Sequence, residues 1–171
     1  MLKSEMYKSK TQRLTTLALF TTISLIIFVV EAQIPLPVAI PGLKLGLSNV
    51  VTLFMLLKYP RRDAIAVLLM RILLGSFFAG QFMAFAYSLA GGLLAFGAMS
   101  VFLLLSGKSN IWFAGVVGAI FHNVGQIVTA IFFYKSVYVG YYFVILLFCG
   151  IITGLFTGFA AQFVYARIKK R

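Results

Sequence analysis

The stretch AQIPLPVAIPGLKLGLSNVVTLFMLL, residues 32–57, decides the fold, because it joins a proline-rich loop directly to an apolar run. Pro35, Pro37 and Pro41 lack backbone N–H groups and fix φ, so residues 32–42 are stiff and largely unable to form a helix. The apolar run over residues 43–57 predicts a short helix after this loop. A second apolar run, residues 14–30, ends just before it. We therefore expect the loop to connect two apolar helices.

The composition indicates a membrane protein. Hydrophobic residues make up 62% of the 171 residues and charged residues 11%, and the mean hydropathy is +1.04; soluble domains average about 45–50% apolar residues. About 20 apolar residues cover a bilayer core. We predict an all-α integral membrane protein, one transmembrane domain over residues 1–171, with six transmembrane helices at 14–30, 43–57, 64–80, 82–105, 111–134 and 139–165.

The Lys and Arg residues predict the orientation, because bases near the ends of membrane helices favour the cytoplasmic side. Lys135 alone falls at the opposite helix ends. Both termini are predicted to be cytoplasmic, with a basic N-terminal segment at 1–13 and a basic tail at 166–171. Because the bases flank helices and form no separate basic domain, nucleic acid is not a predicted partner. Twelve bases share the cytoplasmic side: Lys3, Lys8, Lys10, Arg13, Lys58, Arg61, Arg62, Lys108, Arg167, Lys169, Lys170 and Arg171.

Five polar side chains inside the predicted helices mark a candidate site: Lys44, Asn49, Arg71, His122 and Gln126. Arg71 is the strongest signal, because an ionisable residue inside a membrane helix costs about 2.5–3.5 kcal/mol. At about 1.5 Å per residue, Arg71 and Asn49 lie roughly 12 and 13 Å from the cytoplasmic ends of their helices, and the other three lie further out. The spacing predicts a polar column from the midplane to the outer surface. His122 taken alone is more often a packing residue.

The acids limit what this column binds. Glu5 and Asp63 fall in predicted cytoplasmic segments, and Glu31 is expected near the outer surface, where it could pair with Lys44. Arg71 then has no carboxylate at its own depth, which favours a ligand with a phosphate, diphosphate or carboxylate head and an apolar body. The alternative is a structural arginine bonded to Asn49, Gln81 or backbone carbonyls.

The same scarcity excludes several kinds of chemistry. Magnesium-dependent prenyl transfer needs clustered aspartates, and Asp63 is the only aspartate. The sequence SGKS at 106–109 ends like a P-loop, but Phe102 replaces the required first glycine, so ATP hydrolysis would need a partner. The single cysteine, Cys149, excludes a disulfide framework. We predict no catalytic residues, no metal site and no cofactor.

Small residues predict where helices approach closely. Gly150, Gly154 and Gly158 form two overlapping G-x-x-x-G steps in the last helix, used either inside the monomer, which we favour, or between molecules. Ala18 and Thr22 form a weaker small-residue pair near the cytoplasmic end of the first helix.

Residues 34–54, IPLPVAIPGLKLGLSNVVTLF, and FHNVGQ at 121–126 resemble the small membrane family labelled Gx transporter or heptaprenyl diphosphate synthase component I. The resemblance extends over essentially the whole chain, and PGLKLGLSN is its most specific part. That family is similar to the substrate-binding S components of energy-coupling factor transporters of bacterial plasma membranes. Those proteins have six helices, cytoplasmic termini and an outward pocket gated by the loop after the first helix.

The resemblance implies roles for particular residues. Residues 32–42, with Pro35, Pro37 and Pro41, become an extracytoplasmic lid, although a rigid connector is an equal alternative. Ala18 and Thr22 replace the A-x-x-x-A docking motif for a transmembrane coupling protein served by two ATPases. The candidate substrate-binding residues are Lys44, Asn49, Arg71, His122, Asn123 and Gln126.

Two functions follow as hypotheses. The first is a membrane subunit that binds a small amphiphilic or anionic molecule for uptake, such as an isoprenoid or quinone precursor or a vitamin, energised by partner ATPases. The second is a non-catalytic membrane accessory subunit of a prenyl diphosphate synthase in menaquinone synthesis. An ion-coupled carrier is weaker, since no carboxylate is expected at the midplane.

Overall fold

The computed structural model describes Tyr7 and residues 9–34, 43–80 and 82–169, which form a helical bundle without any strand. A short 3-10 helix, Val137–Tyr141, leads into the last α-helix. The bundle consists of α1 (Lys10–Glu31), α2 (Asn49–Lys58), α3 (Arg61–Ala79), α4 (Phe82–Ser106), α5 (Ile111–Tyr134) and α6 (Tyr142–Lys169). The prolines of the predicted lid, Pro35, Pro37 and Pro41, lie outside the described residues.

In the described part of the chain, four helical segments are long and apolar enough to cross a bilayer: Lys10–Glu31, Phe82–Ser106, Ile111–Tyr134 and Val137–Lys169. They confirm an all-α protein of the multi-pass membrane type. The helix α3 has 19 residues but contains four charged side chains, three of them at its start. The helix α2 has only 10 residues, about 15 Å of helix against a hydrocarbon core of about 30 Å.

The predicted start of the second helix, at residue 43, is wrong. The structure begins α2 at Asn49 and leaves residues 43–46 without helical structure. Gly46 adopts a φ of +81°, in the left-handed region that ends regular helix. We call residues 43–48, the non-helical segment that leads into α2, the strap.

The short helix α2 occupies the centre of the bundle. It contacts each of the other five α-helices, and all its residues except Val50 and Lys58 are buried. Its side chains form much of the main apolar core, including Leu53, Met55 and Leu57. The apolar run that predicted a membrane-spanning helix therefore builds a half-length helix enclosed by protein.

Basic residues of several helices meet at one end of the bundle. Arg13 of α1 forms an ion pair with Asp63 of α3, at 2.6 Å between Nη2 and Oδ1, and Tyr7 donates a hydrogen bond to the same carboxylate. Burial and this hydrogen bond raise the pKa of the Tyr7 hydroxyl, which stays a donor at neutral pH. Lys108, between α4 and α5, donates to the Leu57 carbonyl at the end of α2. We call this end of the bundle, which contains Tyr7, Arg13, Asp63 and Lys108, the basic end.

Glycines let α5 and α6 pack with their backbones in contact. A Cβ atom on Gly154 would lie 2.7 Å from Val116 Cα, and one on Gly115 would lie 2.5 Å from the Gly154 carbonyl oxygen. The Trp112 ring stacks on Phe159 across the same interface, with centroids 6.0 Å apart. The G-x-x-x-G steps of α6 therefore serve packing inside the monomer, as the sequence favoured.

Replacing Gly154 by leucine is expected to destabilise the protein, because a side chain there would force two backbones apart. Overpacking of this kind costs about 1–3 kcal/mol. The matched control is Gly97→Leu on α4, where a Cβ meets nothing within 4 Å. Thermal unfolding in detergent, followed through the single tryptophan, should show a lower Tm for Gly154→Leu alone. Equal Tm values for the two variants would contradict this α5–α6 interface.

Candidate functional site

Side chains of α5 and α6, which lie far along the sequence, form hydrogen bonds with the backbone of the strap. In the orientation of the Gln126 amide that satisfies both its groups, the nitrogen donates to the Lys44 carbonyl at 3.0 Å and the oxygen accepts from the Lys44 N–H at 3.2 Å. Thr153 of α6 donates to the Leu45 carbonyl at 3.4 Å. Buried non-helical backbone needs such partners, because no bulk water is there to replace them.

Glu31, the last residue of α1, binds the N-terminal side of α2. Its carboxylate accepts hydrogen bonds from the backbone N–H groups of Gly46 at 2.5 Å and Ser48 at 3.4 Å. These groups precede a helix whose first amides have no partner within the helix and whose dipole favours negative charge. The carboxylate thus stabilises the start of α2, where no side chain of Ser48 acts as a cap.

The ion pair that Glu31 could form with Lys44 is absent, although the two charges interact electrostatically. Glu31 is only 3% exposed, and within the described ranges the one ion pair joins Arg13 to Asp63. The Lys44 ammonium instead lies over the Phe28 ring, 3.1 Å from its centroid, in a cation–π contact. Backbone amides of the strap attract Glu31 more effectively, because two of them converge on its carboxylate.

Arg71 is buried at the same place, with 1% of its surface exposed. One guanidinium nitrogen, Nη1, donates to the Ser48 hydroxyl at 2.5 Å, and the charge interacts electrostatically with Glu31. The expectation that Arg71 has no carboxylate near it is therefore wrong. Its Nε and Nη2 atoms have no hydrogen-bond partner among the described residues. Gln81, one sequence-predicted alternative partner, lies outside those residues.

His122 is wedged between the strap and α4. Its Nε2 atom lies 3.1 Å from the Gln126 amide oxygen. A Cβ atom on Gly46 would lie 2.8 Å from His122 Cδ2 and 2.9 Å from Asn49 Nδ2, and one on Gly91 would lie 2.8 Å from His122 Nδ1. The two glycines leave room for the imidazole, and Gly46 sets it beside the Asn49 amide.

The structure brings five of the six predicted binding residues together and separates one. Asn123 turns toward α6, where its Nδ2 donates to the Leu146 carbonyl at 2.6 Å. It lies one residue from His122, and successive residues of a helix point about 100° apart.

Sequence reasoning missed Ser48 and misplaced Glu31. The Arg71 cluster, as we call the group, consists of Glu31, Lys44, Ser48, Asn49, Arg71, His122 and Gln126.

The Arg71 cluster has more hydrogen-bond donors than acceptors. Lys44 Nζ, two nitrogens of Arg71 and both polar atoms of the Asn49 amide are buried and have no partner within the described part of the chain. Two cationic side chains face one carboxylate. Such a donor set is chemically matched to an anionic group with several oxygens, such as a phosphate or carboxylate.

The two residues of the predicted docking pair lie elsewhere, on the outer surface of α1. Ala18 and Thr22 are both exposed, and the Thr22 hydroxyl donates to the Ala18 carbonyl at 2.9 Å. This bond satisfies the hydroxyl within its own helix, so the pair presents a small, nearly apolar surface.

Comparison with known proteins identifies one match. The sequence model of the family described as heptaprenyl diphosphate synthase component I matches residues 20–164. The matched range contains the strap and every residue of the Arg71 cluster. No curated protein and no solved structure matches the chain.

Replacing Gly46 by alanine is expected to disrupt the Arg71 cluster, because the new Cβ would collide with His122 and Asn49. The matched control is Gly80→Ala, since Gly80 also has a positive φ, +62°, but has open space around its Cβ position. Both variants bear the left-handed backbone cost of about 1–2 kcal/mol. Thermal unfolding should show the larger loss of Tm for Gly46→Ala, and equal losses would contradict the close contact.

Proposed function

Because the chain belongs to the heptaprenyl diphosphate synthase component I family, we propose that it is a non-catalytic membrane subunit that binds an anionic amphiphile, such as an isoprenoid precursor. The Arg71 cluster binds the phosphate, diphosphate or carboxylate head. The apolar body of the ligand lies against the hydrophobic surroundings of the cluster. The single aspartate, Asp63, is engaged by Arg13 and Tyr7 at the basic end, which agrees with a role other than metal-dependent prenyl transfer.

One observation carries the proposal: several buried cationic nitrogen atoms have no hydrogen-bond partner among the residues that the structure describes. Leaving a buried donor unsatisfied costs about 1–3 kcal/mol, and more when the group is charged. Lys44 Nζ and two nitrogens of Arg71 are in this state. A bound anion would supply the missing acceptors and balance the excess positive charge.

The position of the cluster also supports ligand binding. Arg71 lies ten residues after Arg61, the start of α3, which is about 15 Å along the helix. This is close to half the thickness of a hydrocarbon core. Membrane carriers place substrates near the midplane, where short helices begin with their positive dipole ends toward the ligand. In this chain α2 begins at that depth.

The same proposal includes the topology. The strap in extended form adds up to about 20 Å to the 15 Å of α2, so that the two together cross the membrane. Six crossings then put both termini on one side, and the bases assign that side to the cytoplasm of a bacterial cell. Residues 32–42 lie at the opposite surface, where they serve as a lid over the Arg71 cluster.

Two modes of action fit this binding subunit. In the first, Ala18 and Thr22 dock onto a transmembrane coupling protein whose two ATPases energise uptake, as in the S components of energy-coupling factor transporters. The exposed, small surface of α1 supports this mode. In the second, the subunit holds an isoprenoid diphosphate for a partner synthase component in menaquinone synthesis. The family description supports the second mode.

Replacing Arg71 by methionine should weaken binding of farnesyl diphosphate about tenfold to a hundredfold, because charge-assisted hydrogen bonds contribute about 1.5–3 kcal/mol. Native mass spectrometry of the detergent-solubilised protein measures binding, and farnesol serves as the probe without a charged head. Arg62→Met, an exposed base of the same helix, is the control. Arg71→Lys should bind with intermediate affinity, since it keeps the charge and loses the planar fork.

Unchanged binding by a folded Arg71→Met protein would refute the site. Equal binding of farnesol and farnesyl diphosphate by the wild type would refute the anionic head group. Monodispersity and Tm of each variant separate a lost site from a lost fold.

The two modes of action predict different complexes. The double variant Ala18→Leu/Thr22→Leu should lose co-purifying ATPases if α1 docks onto a coupling protein, whereas Gly97→Leu, an exposed small position on α4, should retain them. If a soluble synthase subunit co-purifies with the wild type and with both variants, and no ATPases do, the second mode is favoured. Mass spectrometry identifies the bound proteins.

A further inference from the structure

A small cavity at the basic end is lined by three lysines and, among the described residues, by no acid. Its volume is about 180 Å³, and it lies where the ends of α2 and α6 meet the turn between α4 and α5. We call it the basic cleft. It is lined by Leu57, Lys58, Lys108, Tyr165, Ile168 and Lys169.

Only one of the three lysines is committed to protein partners. Lys108 Nζ donates to the Leu57 carbonyl at 2.6 Å and to the Tyr165 hydroxyl at 2.9 Å, and it lies over the Tyr165 ring. An ammonium has three protons, so Lys108 keeps one. The side chains of Lys58 and Lys169 make no ion pair within the described residues. The basic cleft therefore has positive charge available for an external anion.

A second cavity, entirely apolar, adjoins the basic cleft. We call it the apolar groove; it lies between α1, α2 and α6 and has a volume of about 290 Å³. Ile168 lines both cavities. The other walls come from Phe20, Ile23 and Ile27 of α1, Val50, Val51 and Phe54 of α2, and Ala161 and Val164 of α6.

The apolar groove opens toward the surface that faces lipid. Ile23, Val164 and Ile168 on its walls are 38%, 44% and 40% exposed. From Ile168 at the basic end it runs along α2 toward Val50, next to the start of that helix. A hydrocarbon chain can therefore enter sideways from the bilayer, while its head stays level with the lysines.

We infer that the basic cleft and the apolar groove together form a binding site for an anionic phospholipid. The lipid phosphate binds Lys58 and Lys169, and one acyl chain occupies the groove. Three lysines line the basic cleft, and only apolar residues line the adjoining groove, which matches a phosphate group attached to an acyl chain. Basic pockets between membrane helices on the cytoplasmic side select anionic head groups in this way. The site shares no residue with the Arg71 cluster.

Native mass spectrometry with dioleoyl phosphatidylglycerol and dioleoyl phosphatidylcholine tests the site. The wild type should retain phosphatidylglycerol with a preference of about tenfold or more, since each lysine near an anionic surface contributes about 1 kcal/mol. Lys58→Gln/Lys169→Gln should lose the preference. The control Lys10→Gln/Arg62→Gln removes two exposed charges at the basic end, outside the cleft, and should keep it.

A second pair of variants tests the apolar groove. Ile23→Trp fills the groove and should weaken phosphatidylglycerol binding at least about threefold, whereas Ile26→Trp, exposed on α1 outside the groove, should not. Glycerol phosphate, the head group without chains, should fail to compete. Arg71→Met should bind phosphatidylglycerol normally, so that failure of this site and failure of the Arg71 cluster are distinguishable.

Three results would overturn the inference. These are equal retention of the two lipids by the wild type, an unchanged preference in Lys58→Gln/Lys169→Gln, and equal losses in Ile23→Trp and Ile26→Trp. A helix of a partner protein seated in the groove and excluding the lipid would overturn it as well.

Discussion

Buried backbone that leaves the helical conformation must find its hydrogen bonds inside the protein. The strap, residues 43–48, is subject to this constraint, and much of the molecule is arranged around it. Glu31 from α1, Gln126 from α5 and Thr153 from α6 each provide a side-chain partner for its backbone. Because those partners come from three helices, α2 has to sit at the centre of the bundle.

Satisfying the strap also explains the excess positive charge of the Arg71 cluster. Glu31 is the only acid in the cluster, and two backbone amides use its carboxylate. The Gln126 amide is likewise occupied by hydrogen bonds to the Lys44 backbone and to His122. Lys44 contacts the π face of Phe28, and Arg71 has one hydroxyl partner and an electrostatic interaction with a carboxylate that the strap amides already occupy. The hydrogen bonds that the strap backbone requires therefore also leave the cationic side chains of the Arg71 cluster short of acceptors.

The later helices are well predicted from the sequence, and the site is predicted only in part. Predicted limits of 82–105 and 111–134 agree with Phe82–Ser106 and Ile111–Tyr134, because clear turn residues bound each apolar run. The start of α2 is wrong, since hydrophobicity does not distinguish a buried strap from a helix. Counting depth along each helix put Arg71 level with Asn49, whose neighbour Ser48 accepts a hydrogen bond from Arg71. Depth alone does not tell which way a side chain points around its helix. Asn123 was therefore included in the predicted site, and Ser48 was missed.

The strap has a consequence for how the protein is made. Gln126 lies 82 residues after Lys44, and Thr153 lies 108 residues after Leu45. At about 5–20 residues per second, a ribosome needs roughly 4–20 s to supply them. During that time the backbone groups of Lys44 and Leu45 that these side chains bind have no partner from α5 or α6. The hydrogen bonds of the strap are therefore completed late, after α5 and α6 have been synthesised.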